Sequence, residues 1–481
     1  MREMTKPDMN TAAGRERAAE ELFAYAKEAR AERERKWDTF EDYYRCRNGR
    51  AGLCVTDAYI HVESQIEPGI PDFSFILREG DTEGEIARRR ELAVKNVVDA
   101  NRLEGKNTAN ERRLLKYGDA FWKVRWDQSA AFPGAADGGD IRVEDVDPRE
   151  IYPDPTAGEV QEGEFLFHAY AMNCRKALRA FGADIRRLGL DPEKLLSEEG
   201  TSDIFRLQAA ESGEGCVAVM EFYWRTPEDR VALSVLLCGR EIRHIPDFWL
   251  RTGGQNRSFP FVQYWRIRDE RNFWNISELE YILPLIDAAD RELQVAAQNR
   301  AFMANDMLIV EEDALADGVE VTNEPGAILT MRPGRFDRIR RLSGLSSAAE
   351  GTAMAEHYTG MIERTVGNFD STLGEEPERV VTATGIKLLN ARADARREIK
   401  RADRLRGFAR LYELIDWFCL EFYDDGRPIR IAAAGAVGRR ARLQGELCYT
   451  YSGGEVSPAW FPRVDCLMEA EREAAHVDGN L

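Results

Sequence analysis

The 481-residue sequence predicts an α+β fold: a mixed N-terminal part, a helix, a short β insert, a second helix, a compact acidic loop and a third, longer helix. Three observations carry that prediction. The stretch Ala120–Trp126, AFWKVRW, alternates as a strand does. The stretches 272–306 and 344–370 read as long helices with weak apolar stripes, rich in Ala, Gln, Asn and Thr, bracketing a β-like insert at 307–343. In the third helix, Thr384 to about Tyr423, the residues Ile386, Leu389, Ala393, Ile399, Ala402, Leu405, Phe408, Tyr412, Ile415 and Cys419 follow a 3.6-residue period, so one face is expected to be core.

In chain order, residues 1–10 carry little apolar content and read as a tail. Ala12 to about Asp42 is helical, with Ala19, Leu22, Phe23 and Ala26 at helical spacing. Glu83–Leu115 is helical too, and its Asn101, Asn107 and Asn110 are unusual on a core face and mark a break or a second helix start. Ile141–Val143 pairs back on Ala120–Trp126 across a Gly-rich turn. The prolines of DVDPREIYPDPTAG exclude regular helix, so this segment reads as loop. Glu164–Met172 is a strand, and Asn173 caps the helix that follows. Asp191–Ser212 reads as a polar helix, and Cys216–Trp224, Val231–Cys238 and Glu241–Ile245 as a β-meander. Pro284 either bends the first helix of the insert region or marks a helix start. Within the insert, Ile309-Val310 and Ala327–Thr330 are expected to pair as short strands.

Composition bounds function. At 43% hydrophobic and 10% aromatic the chain is a folded one, and its length suggests two to four units. The formal charge of −18, from 85 acidic and 67 basic side chains, argues against a conventional nucleic-acid binder with a basic surface. It suits a wall along which DNA slides, or simply keeps a large protein soluble. The eight cysteines form no CxxC and the five histidines no HxxxH or HExxH set, so no metal site is expected and the thiols read as reduced. The carboxylates of 144–154 lack EF-hand spacing, and their Asp-Pro pairs are turn formers. There is no GxSxG and no GxxxxGK[ST]; Gly105-Lys106-Asn107 lacks the leading glycine and the hydroxyl. No signal peptide is visible, and the longest apolar run, VALSVLLC, is far short of a membrane span. The sequence therefore predicts no enzyme, cofactor, metal or membrane partner, and a protein made inside a cell.

Two helices of roughly 25–30 residues would extend about 40 Å. Such lightly apolar rods need partners, and a ring of identical subunits supplies them most simply. The order of elements, with KWDTFEDYYRCRNG (Lys36–Gly49), ERRLLKYGDAFWKVRWD (Glu111–Asp127), IRVEDVDPREIYPDP (Ile141–Pro155), FPFVQYWRI (Phe259–Ile267) and GEEPERVVTATGIKLL (Gly374–Leu389), resembles the portal proteins of tailed bacteriophages over roughly Lys36–Trp460. The likeness rests on that order, since portals have no catalytic signature.

The resemblance implies a wing at 1–271, stem helices at 272–306 and 344–370, a clip at 307–343 and a tunnel loop at 371–383. A long wing or crown helix follows at 384–424, with a reduced crown at 425–481. It implies a dodecameric ring at one capsid vertex, through which double-stranded DNA is packaged and ejected. Its expected partners are the terminase large subunit, the major capsid or scaffold protein and head–tail connector proteins. Its expected location is the virion, and the host cytoplasm during assembly. Gly374, Glu375, Glu376, Pro377, Glu378 and Arg379 would form the tunnel loop, its carboxylates repelling phosphates while Arg379 makes weak contacts; an ordinary helix connection is the alternative. Gln294, Gln298, Asn299 and Arg300 are the candidates for lateral stem packing and a polar lumen. Arg392, Arg396, Arg397, Lys400 and Arg404 form a basic band suited to an acidic neighbouring subunit, or to DNA. Rival readings are another ring-forming connector or adaptor of the virion, and a cytosolic enzyme without a recognisable motif.

Overall fold

The computed structural model describes residues 8–47, 56–76, 85–130, 138–189, 216–253, 255–304, 307–310, 333, 339–342, 348–366, 383–423, 427–431, 447–451 and 463–466. These residues form a mixed α+β chain that divides into two compact units. The first comprises Met1–Thr39, Gln65–Ser277 and Ala395–Leu481, the second Phe40–Ser64 and Glu278–Asp394.

The α+β unit begins in α1 (Ala12–Tyr44), whose first part lies within it. In chain order α2 (Asp57–Ser64) belongs to the other unit. The α+β unit resumes with β1 (Phe73–Ile76), α3 (Glu85–Asn101) and α4 (Leu103–Tyr117). Arg102, at φ +50°, separates α3 from α4, so the asparagines do mark a break. Asn101 has a positive use there: its Nδ2 donates to Ile141 O (2.9 Å) and its Oδ1 accepts from Val143 N (3.0 Å). The helix end is thereby fastened to the strands that follow.

Those strands are β2 (Asp119–Asp127) and β3 (Asp140–Val146), an antiparallel hairpin with Val124 opposite Val143. Next come β4 (Ile151–Pro153), β5 (Phe165–Asn173) and α5 (Cys174–Arg187), with the Asn173 side chain accepting from Arg175 N as a helix cap. β6 (Cys216–Arg225), β7 (Val231–Leu237), β8 (Arg240–Ile245) and β9 (Phe261–Trp265) complete two sheets, ordered β4-β5-β6-β7-β8 and β3-β2-β9. β4 corrects the loop expected at 151–153. Ile151 pairs with His168, and Pro153 sits in an edge strand, where a missing N–H costs nothing.

The five-stranded sheet is covered on both faces. Phe165, Phe167, Phe222 and Trp224 meet Ala18, Ala19, Phe23 and Ala26 of α1, while Leu166, Val219 and Tyr223 enter the main core. Arg30 pins α1 further: it stacks 3.6 Å over Tyr152 and donates to Arg149 O (2.7 Å) and Ile151 O (2.8 Å).

The helical unit contains α2, α6 (Leu279–Ala304), β10 (Met307–Val310), β11 (Ile339–Leu342) and α7 (Ala348–Val366). Asp191–Ser212 and Ala327–Thr330 lie outside the described residues. β10 pairs antiparallel with β11, Ile309 opposite Arg340 and Val310 opposite Ile339. The register depends on how the chain between them folds, which local pattern does not report. α6 starts later than Asn272, because Asn275 is held by Asp119: its Nδ2 donates to Oδ1 (2.6 Å) and its N–H to Oδ2 (2.8 Å). Ile276 also bridges to Ile267. Pro284 lies inside α6, two turns short of its middle and past the first turn.

The long helix α8 (Ala383–Phe422) begins in the helical unit and ends in the α+β unit, followed by β12 (Arg427–Ile431), β13 (Leu447–Tyr451) and β14 (Arg463–Cys466). Among its described side chains, the apolar stripe is core from Phe408 onward. Phe408, Tyr412, Ile415 and Cys419 are fully buried, a contribution of about 2 kcal/mol for each large side chain. Ile399, expected on the same face, is 70% exposed, because the α+β core does not extend that far along the helix. Gly407 allows the close approach: a Cβ there would meet Tyr264 Cβ at 2.5 Å, so α8 rests directly on β9.

Candidate functional surfaces

Three places bring chemistry-bearing side chains together: the helical hairpin, the long basic helix and the interior between the two sheets.

In the hairpin, α6 and α7 pack antiparallel. Gly351, early in α7, meets Ala296 and Glu292 in the second half of α6, with Ala296 Cβ only 3.1 Å from a would-be Cβ. Thr359, later in α7, donates a hydrogen bond to Asp57, which also feels Asp290 near the middle of α6. The seam is made of small and branched residues: Ile282, Ile286, Ala289 and Ala296 on α6, Gly351, Ala355 and Ile362 on α7. Burial, then the Asp290 carboxylate, push the Asp57 carboxyl up, while the Thr359 hydroxyl opposes the shift. His61 Nε2 lies 2.9 Å from Glu278 Oε2, both side chains buried.

The outer faces of the hairpin expose several apolar side chains. Tyr281, Val295, Met354 and Met361 are exposed, and so are Tyr59 and Ile60 of α2. Helical spacing puts Tyr281, Val295 and Asn299 within about 40° of arc on α6, and Met354 and Met361, seven apart, on one face of α7. Of the sequence candidates, Gln298 and Arg300 are exposed, and Gln294 and Asn299 half-buried. Gln298 and Asn299 flank Val295, whereas Arg300 points to another side, so the four do not form one cluster.

The basic helix is less basic at its surface than its sequence suggests. Arg404 is 7% exposed, and its Nε donates to Glu111 Oε1 (2.7 Å) while Nη1 lies 3.4 Å from Glu67. This corrects its expected place on an outer face: the guanidinium points inward because α4 presents a buried carboxylate. Arg406 pairs with Asp403 (2.7 Å) and Arg410 with Glu159 (3.0 Å). Lys400 is half-buried. Arg392, Arg396 and Arg397 fall on α8, their side chains outside the described residues, as is the whole loop Gly374, Glu375, Glu376, Pro377, Glu378 and Arg379.

Between the sheets lies a network that sequence reasoning missed. Lys123 of β2, 1% exposed, donates to Glu221 Oε2 (2.7 Å) and Oε1 (2.8 Å) of β6, and its Nζ is 3.1 Å from His168 Nδ1 of β5. Tyr223 OH donates to Glu221 Oε2 (2.6 Å) and Tyr170 OH to Oε1 (3.2 Å). Burial alone would raise the Glu221 carboxyl; the Lys123 ammonium, the nearby His168 and hydrogen bonds from Lys123 and Tyr223 outweigh it and bring it down to about 2. Burial, then the Glu221 charge, raise both tyrosines well above their usual range. Lys123 Nζ is held by both Glu221 oxygens, so it is no free nucleophile; the network joins the sheets. The signal was present: Glu221 is the one charge in the apolar strand VAVMEFYW, and Lys123 stands between Trp122 and Val124 in AFWKVRW.

A cleft of about 280 Å³ beside α8 is floored by Phe261, Val262, Leu414 and Trp417, with the Arg410–Glu159 pair at its rim. Its amides are occupied, Gln161 Nε2 by Phe261 O (2.8 Å) and Gln263 Nε2 by Asp119 Oδ1 (2.9 Å). Ser258 and Glu413 also line it. Among the described residues no three His, Cys, Asp or Glu side chains are grouped to hold a metal ion, and no helix is long and apolar enough to cross a membrane.

No protein-family model matches the chain, and no curated protein matches it in sequence.

Proposed function

We propose that this chain is the subunit of a portal-type ring, a DNA conduit and docking platform without catalytic activity of its own. The observation that carries the reading is the antiparallel hairpin of α6 and α7 with the ribbon β10–β11 between them, followed by α8, whose second half belongs to the α+β unit. This is the order stem, clip, stem and wing helix that the resemblance implies. A second feature supports self-association. Six of the eleven large apolar side chains described as exposed, Tyr59, Ile60, Tyr281, Val295, Met354 and Met361, belong to the smaller helical unit. Apolar side chains gathered on the smaller unit mark it as a contact surface.

In this reading the helical hairpins of neighbouring subunits pack side by side around a channel for duplex DNA. The ribbon is the docking point for terminase during packaging and for head–tail connector proteins later. The α+β unit faces capsid or scaffold protein, and the particle is a virion component assembled in the host cytoplasm.

The test is the mass of the purified chain in solution, with negative-stain images of the same sample. A closed ring with a central hole, dodecameric or close to it, is the expected result. A chain that stays monomeric over a wide concentration range, alone and with a scaffold protein, overturns the reading.

A further inference from the structure

The strongest unmatched positive surface among the described residues of this acidic chain is on α5, not on the long basic helix. α5 carries Arg175, Lys176, Arg179, Arg186 and Arg187 against the single carboxylate of Asp184. At 100° per residue the five cations fall within an arc of about 120°, and Arg175 to Arg187 spans about 18 Å. All five are exposed. Arg187 lies 3.3 Å from Asp184, which is already held by Arg243 of β8. Arg175, Lys176, Arg179 and Arg186 have no ion pair among the described residues. On α8, by contrast, Arg404, Arg406 and Arg410 are each matched by a carboxylate of the same chain.

We propose that this face of α5 docks the phosphate backbone of a nucleic-acid duplex. Four arginines and a lysine on one side of a rigid helix match a polyanion of regular charge spacing, and arginine's planar fork suits phosphate oxygens. The opposite arc, Ala177, Phe181 and Ile185, is buried in the protein's own core. It is therefore not available to enter a lipid interface, which an amphipathic membrane helix requires. No base-reading element is involved, so the contact is independent of sequence. The surrounding net charge of −18 opposes binding, which keeps the contact weak and reversible at physiological salt. The inference uses only the charges of α5 and does not depend on ring formation.

The experiment is fluorescence anisotropy of a labelled duplex DNA of about 30 base pairs, titrated with the full chain over a range of low salt concentrations. The triple variant Arg175→Glu/Arg179→Glu/Arg186→Glu is expected to bind at least tenfold more weakly. The log–log salt slope should fall by roughly 3, near 0.9 for each phosphate no longer neutralised. Arg175→Lys/Arg179→Lys/Arg186→Lys should keep most of the binding, and Arg17→Glu/Arg406→Glu, reversing cations that are 62% and 74% exposed elsewhere, should keep nearly all. Thermal melting confirms that each variant is folded. Absence of binding by the unmodified chain at low salt overturns the proposal. So does an equal loss in the Arg17/Arg406 variant, or competition by polyglutamate or anionic vesicles as effective as by unlabelled duplex. A monomer that binds duplex through α5 sustains this inference while defeating the ring; a ring indifferent to the α5 reversals does the opposite.

Discussion

The α+β unit and the helical unit close on side chains of different size. The first encloses Trp37, Trp122, Trp249, Phe121 and Phe222 almost completely and matches its interior charges one against another: Lys123 with Glu221, Arg90 with Asp416, Arg404 with Glu111. The second, besides Phe40, Val62 and Leu279, closes mainly on alanine, glycine and isoleucine, keeps the Asp57 and Asp290 carboxylates near each other, and leaves Met354, Met361, Tyr281 and Val295 exposed. A core of large, interlocked side chains is sufficient alone. A two-helix seam of small residues has little apolar area to bury and leaves apolar side chains exposed. In the proposed reading the α+β unit is the scaffold and the helical unit the part that is joined.

The largest effect that would break this contrast lies in the scaffold. Lys123→Met leaves Glu221 buried without its cation, and a loss of about 3–5 kcal/mol in urea unfolding is expected. Lys123→Met/Glu221→Gln should recover much of it, because neither charge is then stranded. If the double variant is as unstable as the single, the pair is not what holds the two sheets. The pair also sets an acid limit. Glu221 stands at about 2 when folded against an ordinary 4.5. Its contribution is complete above 4.5 and is lost as pH falls through that window towards 2, an effect on the order of 3 kcal/mol. Glu221→Gln should flatten the acid limb of the stability curve in that range.

The seam of the helical unit comes next. Gly351→Leu would drive a side chain into Ala296 and the Glu292 carbonyl, at a cost of about 1–3 kcal/mol. Hydrogen exchange should show the loosening in α6 and α7 and leave β2, β5 and β6 as protected as before. Equal loosening of those strands would mean that the two units are not separable in stability.

Smaller in stability, but more telling for function, is Met354→Ser/Met361→Ser. Both side chains are exposed on one face of α7, so the isolated chain should change by under about 0.5 kcal/mol. Association, read by the mass in solution, should weaken several-fold. An unchanged mass would place the contact elsewhere.

Local signals predicted local structure well. The alternation of Ala120–Trp126, the meander from Cys216 to Ile245, the Asn173 cap and the interruption near Asn101 all depend on neighbours in sequence. What sequence could not report depends on distant partners. Arg404 turns inward because Glu111 waits on α4, Ile399 remains outside because the core ends before it, and β10 pairs with Ile339–Leu342 across a long interval. The same limit applies to charge. The long helix shows more arginines in sequence, yet carboxylates from α4 and from the segment before β5 neutralise Arg404 and Arg410, whereas α5 stands out in sequence only for its cap.

The smallest expected effect tests the helical unit from within. The Asp57 carboxyl is raised above its ordinary value of 3.8, by burial first and by Asp290 second. A group raised in this way favours the folded state only at low pH, and that contribution is lost as pH rises through the raised value. At neutral pH the Asp57 carboxylate therefore opposes folding of the unit it sits in. Asp57→Asn keeps an acceptor for the Thr359 hydroxyl and removes the charge facing Asp290. Thermal melting should show a gain at pH 7, under about 1 kcal/mol because the group is partly solvated, and no gain below about pH 4. If the helical unit is completed by association, as proposed, strain of this kind is tolerable there. A variant destabilised at pH 7 would show instead that the carboxylate is structurally required, and would place α2 among the fixed supports of the hairpin.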